Sequence, residues 1–138
     1  MELRSVEELM DLLYACRYEH ALRTAALLRR ARPADKELQV AGLVHGIGQL
    51  LDPGDPAGQA TRAAQAVRPL LGERVYGLVR QRGPAADDDL LRLQHAAEEG
   101  RTVAFDAGVL EDWRTVLELV AARHSRLAPG VGRDGRSA

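Results

Sequence analysis

The chain has 138 residues and a nearly balanced charge, with 19 lysines and arginines, 20 aspartates and glutamates, and a formal net charge of −1. This length predicts one domain with a hydrophobic core, and the even spread of basic residues argues against nucleic-acid binding. No segment is both long and apolar enough to predict a membrane-spanning helix.

The N-terminal residues and the cysteine content bear on where the protein works. Acidic residues recur from Glu2 to Glu19, so we expect no secretory signal peptide. The single cysteine, Cys16, cannot form an internal disulfide, as is typical of proteins in a reducing compartment. We therefore predict a cytoplasmic protein.

Helical periodicity dominates the first half of the chain, and no segment there has the alternation of a strand. A capping box that starts at Ser5 predicts a first helix reaching about Tyr14. A second helix is predicted over about 18–30. Asp35 is the expected N-cap of a third, which the apolar spacing predicts as one uninterrupted helix over 36–51.

Four more helices are predicted after the proline- and glycine-rich loop at 52–56. One covers about 57–71, and another runs from Glu73 to about Gln81. The next starts at the acidic residues 87–89, a solvated start favourable to the helix dipole, and stops at Gly100. The last covers about 110–123.

The last predicted helix carries a clear apolar face. Leu110, Trp113, Leu117 and Val120 recur at helical spacing, so we expect them in the core. The residues that follow are small and polar. We therefore predict a helical domain over 1–126, a flexible tail over 127–138, and a single compact all-α bundle of about six to seven helices.

Four segments carry a resemblance to a known family, and they cover residues 19–27, 41–51, 67–75 and 110–118. The first contains Glu19-His20-Ala21-Leu22 and the second Val44-His45-Gly46-Ile47. In order and spacing they resemble the HD-domain superfamily, in the oxygenase-like branch that includes myo-inositol oxygenase and the diiron oxygenases that cleave phosphonates. The resemblance implies an HD-like helical domain built around a metal centre.

The resemblance also implies where the metal ligands should lie, namely four histidines and two aspartates that hold two irons. His20 and His45 match the first two histidines. The bridging aspartate falls at Gly46, and the other three positions fall at about Gln59, near Arg82 and at Ala97. Two neutral imidazoles supply neither the negative charge nor the bridge that two irons need. We therefore expect that the diiron site is lost and that the protein has no cofactor.

Other interpretations of these residues stay open. His95 is a possible substitute ligand, but helical spacing turns it about 200° from Ala97. Glu98 is more typical of a solvated side chain, and His124 lies at the end of the last apolar face. His20 and His45 are also compatible with a buried, hydrogen-bonded pair. Two glycines, at 46 and 48, favour close helix packing or a kink.

The region around the site is reduced as well. The resemblance aligns Arg101 with a lysine that contacts anionic substrate, but the lid before His20 is missing. We predict a non-catalytic HD-fold protein, a pseudoenzyme that acts as interaction partner, scaffold or regulator, including as a homodimer. One alternative is a binding module that holds a small anion through Arg82, Arg101 and Gln59. Another is a divergent metal-dependent oxygenase or phosphohydrolase that uses His20 and His45.

Overall fold

The computed structural model describes residues 2–16, 18–80, 88–102 and 106–127, and within these ranges the chain is helical with no strand. Seven α-helices have eight or more residues, and one more has a single turn. Two 3₁₀ turns, Pro56–Gly58 and Leu110–Trp113, precede the fifth and eighth helices. The helices are α1 (Val6–Ala15), α2 (Tyr18–Ala31), α3 (Lys36–Val44), α4 (Gly48–Leu51), α5 (Gln59–Leu71), α6 (Glu73–Arg80), α7 (Asp88–Thr102) and α8 (Arg114–Leu127). The predicted all-α class with about seven helices is confirmed.

Helix α2 packs against both α3 and α7, and two glycines allow this close approach. A Cβ atom at Gly42 on α3 would lie 2.5 Å from Leu28 Cδ1, and one at Gly100 on α7 would lie 3.0 Å from the Thr24 hydroxyl oxygen. Thr24 is fully buried between them and donates its hydroxyl hydrogen to the His20 carbonyl at 2.9 Å. Helices α3 and α7 therefore both pack closely against α2.

The predicted helix starts are largely confirmed. The Ser5 hydroxyl accepts the Glu8 backbone N–H at 3.2 Å, and the Asp35 carboxylate accepts that of Leu38 at 3.1 Å. The capping box differs in one detail, because the Glu8 carboxylate accepts the backbone N–H of Arg4, at 2.7 Å, instead of that of Ser5. Both helix starts nevertheless have a side-chain cap.

Three predicted boundaries were wrong. The predicted 36–51 helix is divided into α3 and α4 by a turn. Helix α7 continues past Gly100 to Thr102, and this glycine lies where α7 approaches α2 closely. The last helix begins as a 3₁₀ turn and reaches Leu127.

Some predictions fall on residues outside the described ranges. They concern Arg82, Asp87 and nearly all of the predicted tail, residues 128–138. The predicted apolar face of the last helix does fall within them, and Leu110, Trp113, Leu117 and Val120 are all buried as expected. Among the helices that the structure describes, none is long and apolar enough to cross a membrane.

An ion-pair cluster joins the starts of α3 and α7 to α6. The Arg74 guanidinium donates to both Asp35 oxygens, at 2.6 and 2.7 Å, and to Asp89 at 2.8 Å. It also reaches Glu37 at 3.1 Å. Asp89 is therefore ion-paired, which corrects the predicted solvated start of α7. The hydrogen bond from Arg74 is the main reason that the pKa of Asp35 lies below its usual value.

We expect Arg74→Met to lower the free energy of unfolding by about 1–2 kcal/mol at pH 7, a value discounted because the cluster is partly exposed. A carboxylate with a lowered pKa stabilises the fold above its ordinary pKa, and this contribution is lost as the pH falls through the lower value. The difference in the free energy of unfolding between wild type and variant should therefore shrink below about pH 4. Urea denaturation at pH 7, 5 and 3.5 measures it.

The matched control is Arg4→Met, because the Arg4 side chain is 78% exposed and pairs only loosely with Glu2, at 3.6 Å. This variant should have the same free energy of unfolding as wild type at each pH. A destabilisation by Arg74→Met that stayed constant down to pH 3.5 would contradict the assignment to ion pairing with Asp35.

Candidate functional site

The turn between α3 and α4 is formed by residues 45–47 and is followed by Gly48. A Cβ atom at Gly48 would overlap the Gln59 carbonyl oxygen and would lie 2.6 Å from its carbonyl carbon. A Cβ atom at Gly46 would meet nothing within 4 Å. Gly48 therefore allows the backbone of α4 to touch the start of α5, while Gly46 leaves open space.

A cavity of about 600 Å³ lies beside this turn, within the size range of small-molecule sites. Its lining residues lie at the end of α1, on α2, along the segment from α3 to α4, at the start of α5 and at the end of α7. The lining residues are Leu13, Ala15, Cys16, His20, Ala21, Leu43, His45, Gly46, Ile47, Gln49, Leu50, Gln59, Ala60 and Arg101.

The cavity brings together most of the residues that the sequence singled out. His20, His45, Gly46, Gln59 and Arg101 all line it. Ala97 is not among the lining residues, but its backbone carbonyl lies 2.8 Å from His20 Nε2. Of the predicted site residues, only the position at 82 falls outside the described ranges. Positions that are up to 81 residues apart in the chain thus meet at one place.

His20 uses one ring nitrogen to contact α7. Because a carbonyl oxygen can only accept, Nε2 carries a hydrogen and donates it to the Ala97 carbonyl at 2.8 Å. Next to it, Arg23 Nε donates to the Gly100 carbonyl, also at 2.8 Å. In the neutral ring, Nδ1 is then the nitrogen with a lone pair. Ala97, where the resemblance implies an aspartate ligand, thus contributes a backbone acceptor and no carboxylate.

His45 is held in a similar way by its own helix. Its Nδ1 donates to the Gly42 carbonyl at 2.6 Å, which leaves the lone pair of the neutral ring on Nε2. Burial lowers the pKa of His45 below its ordinary value, and the positive charges of His20 and Arg101 act in the same direction. The bond to Gly42 opposes this shift. At pH 7 His45 is neutral.

The two imidazoles form an edge-to-face ring contact, with centroids 5.5 Å apart and planes at 70°. Each donates to a backbone carbonyl, and no hydrogen bond joins them. The two histidines are thus half-buried, hydrogen-bonded side chains in contact with each other, which agrees with the interpretation as a polar pair, and each ring is bonded to a backbone carbonyl.

The donor set does not fit the diiron centre that the resemblance implies. Within the described residues, no three histidine, cysteine, aspartate or glutamate side chains are arranged to hold a metal ion. Among the cavity-lining residues that the structure describes, none has a carboxylate that could bridge two cations. His95 and Glu98, weighed as substitute ligands, are exposed on α7 and do not line the cavity. His124 lies elsewhere, against Gly72.

The charged lining residues that the structure describes are of one sign, positive. Among the described lining residues of the cavity none is acidic, and Arg101 is the one arginine or lysine. Arg101 is 64% exposed and has a loose pair, at 3.6 Å, with Glu98 one turn earlier on α7. The lining therefore suits an anion better than a cation.

The sequence reasoning did not include Cys16 in the site. This residue is partly buried at the end of α1 and lines the cavity with His20. Burial raises the pKa of its thiol, so it remains protonated at neutral pH. Cys16 lies four residues before His20, which could have indicated that the two residues share a site. That inference needs the short connection between α1 and α2, which the structure shows.

Comparison with known proteins found no matching family model and no similar curated protein.

Proposed function

We propose that this protein is a degenerate member of the HD-domain superfamily, oxygenase-like branch, that works without metal catalysis and binds a small anionic molecule in the cavity. The family assignment is supported by the convergence of positions from α2, α3, α5 and α7 at one site. The single cysteine agrees with a cytoplasmic location. The protein is non-catalytic in this proposal. Ligand binding in the cavity regulates its interaction with a partner.

The observation that carries the proposal is the chemistry of the cavity wall. Arg101 supplies a cation, no described lining residue supplies an opposing carboxylate, and the volume of about 600 Å³ admits an organic molecule. Both histidines are fixed by backbone carbonyls, His20 by Ala97 and His45 by Gly42. These two bonds fix the orientation of the rings, and in the neutral forms one nitrogen of each ring carries no hydrogen.

A protein–protein role has less local support. Five large apolar side chains are well exposed, but they lie on five different segments: Tyr14, Leu50, Leu91, Val109 and Leu119. The cavity, in contrast, gives anion binding a defined location. For this reason we place ligand binding first and the interaction with a partner second.

We expect small monoanions and dianions to bind in NMR titrations and to move the ring signals of His20 and His45 but not those of His95 and His124. Arg101→Gln should weaken binding by about fivefold, the range expected for a partly exposed ion pair. Glu98→Gln should strengthen it slightly, because it removes the competing carboxylate. The matched control is Arg123→Gln, an exposed arginine outside this cavity, which should leave binding unchanged.

Metal content tests the metal-free part of the proposal. Protein purified without chelator should contain less than about a tenth of an equivalent of transition metal, since two imidazoles make a weak site. A stoichiometric metal ion would contradict this part of the proposal. Anion binding that ignored Arg101→Gln, or that left both cavity histidines unmoved, would contradict the ligand-binding part.

A further inference from the structure

The two imidazoles of the cavity each have one nitrogen that takes no part in holding the ring. His20 donates from Nε2 and His45 from Nδ1, so in the neutral rings the lone pairs lie on His20 Nδ1 and His45 Nε2. Among the residues that the structure describes, none donates a hydrogen bond to either of these nitrogens. The rings therefore keep two acceptors that no described group satisfies.

Both acceptors can be reached from the cavity. A side-chain nitrogen without a hydrogen bond is either buried or open to solvent, and neither of these two is among the buried unpartnered atoms of the described residues. Both rings are half-buried and line the cavity. An occupant of the cavity thus meets the nitrogen lone pairs and not only the carbon atoms of the rings.

The two rings lie close enough to share one donor group, since their centroids are 5.5 Å apart. The two hydrogens of a planar –NH₂ group diverge by about 120°, so two hydrogen bonds of about 2.9 Å join acceptors about 5 Å apart. This separation is of the same size as that of the rings. A hydroxyl group has a single hydrogen and can donate to only one ring. The pair of histidines therefore favours an –NH₂ group.

The charge near the rings favours an –NH₂ group that is neutral. Arg101 lines the same cavity, and its positive charge is one cause of the lowered pKa of His45. An ammonium group beside His45 would be repelled by this charge. A primary carboxamide is neutral and has a planar –NH₂ group. Its oxygen accepts hydrogen bonds, and Gln49 and Gln59 bring amide N–H groups to the same cavity.

We infer that the cavity ligand is a small acid with a primary carboxamide, which donates one hydrogen to His20 Nδ1 and one to His45 Nε2 while its anionic group lies at Arg101. This inference rests on the proposed anion-binding function and adds the class of ligand. It makes the two histidines determinants of specificity.

Four acids with chains of equal length test the inference by calorimetric titration of the full chain at pH 8, above the ordinary pKa of imidazole. Succinamate ends in a carboxamide, and levulinate has a methyl group in place of the –NH₂ group. The other two, γ-hydroxybutyrate and γ-aminobutyrate, end in a hydroxyl and an ammonium group. Each N–H bond to an imidazole should strengthen binding by about threefold, so succinamate should bind about tenfold more tightly than levulinate. The other two should bind more weakly than succinamate.

His20→Phe and His45→Phe each remove one acceptor and keep a ring. The ratio of the succinamate and levulinate affinities should fall from about tenfold to about threefold in each variant. Because both ligands are measured on the same variant, a change in its stability affects both affinities. The matched control is His95→Phe, at an exposed position outside the described lining, which should leave the ratio unchanged. Circular dichroism confirms that the variants are folded.

The outcomes distinguish the inference from the function on which it rests. Equal affinities of succinamate and levulinate, with binding that still depends on Arg101, would overturn the carboxamide and leave anion binding intact. A ratio that stayed at tenfold in both cavity variants would also overturn it, as would tighter binding of γ-hydroxybutyrate or γ-aminobutyrate. If other anions move the ring signals of His20 and His45 but none of these acids binds, the inference alone fails. If no anion moves those signals, the proposed function fails as well.

Discussion

Gly48→Ala is expected to destabilise the protein by about 3 kcal/mol or more, the upper range for overpacking in a well-packed interior. The reason is a contact with backbone, which cannot rotate away as a side chain can. The added methyl group would overlap the Gln59 carbonyl oxygen and lie 2.9 Å from its Cα atom. Either α4 or the start of α5 must therefore move. Urea denaturation followed by circular dichroism measures the loss.

Gly46→Ala is the matched control, because it adds the same methyl group two residues earlier. A Cβ atom there would meet nothing within 4 Å, and Gly46 does not have a positive φ angle. Its effect should stay within about 1 kcal/mol and could be stabilising, since alanine restricts the unfolded chain. Equal stability of the two variants would show that α4 does not approach Gln59 as closely as described.

Trp113→Ala is the second substitution with a large expected effect, a loss of about 3–5 kcal/mol. The indole is 1% exposed, lies in the core at the 3₁₀ turn before α8, and has the Arg29 guanidinium carbon 4.8 Å from its ring centroid. Alanine leaves a cavity that the surrounding helices only partly fill. Because Trp113 is the single tryptophan, unfolding should be followed by circular dichroism and not by fluorescence.

Leu119→Ala, on the helix α8 that follows this turn, provides the control. Leu119 is 45% exposed, so its truncation should change the free energy of unfolding by less than about 1 kcal/mol. A loss below about 1.5 kcal/mol for Trp113→Ala would mean that the indole is not a principal core contact. Such a result would also question the packing of α8 on the bundle.

The helical architecture was predictable because its signals are local. The spacing of Leu110, Trp113, Leu117 and Val120 identifies a buried face, and Ser5 and Asp35 identify helix starts. The break between α3 and α4 was missed, since the apolar spacing continues from Val44 to Ile47 as in an unbroken helix. The turn at 45–47 leads into Gly48, whose backbone touches that of Gln59. This is a tertiary contact, and the periodicity of the sequence does not indicate it.

The site was partly predictable, for a different reason. The resemblance placed His20, His45, Gly46, Gln59 and Arg101 in one site, and these residues line one cavity. The hydrogen-bond partners were not predictable, because the bond from His20 to the Ala97 carbonyl depends on how closely α2 approaches α7. That approach is allowed by Gly100, which the sequence alone suggested as a helix stop.

The open space at Gly46 makes this position a handle for protein engineering. A new side chain there meets no atom at its Cβ, so a library at one residue can vary the cavity while the helices keep their packing. An aspartate would stand beside two imidazoles, a cysteine would allow a covalent tether, and a bulky apolar residue would reduce the volume. The bundle therefore offers a tunable receptor in which ligand size, charge and attachment are set by a single codon.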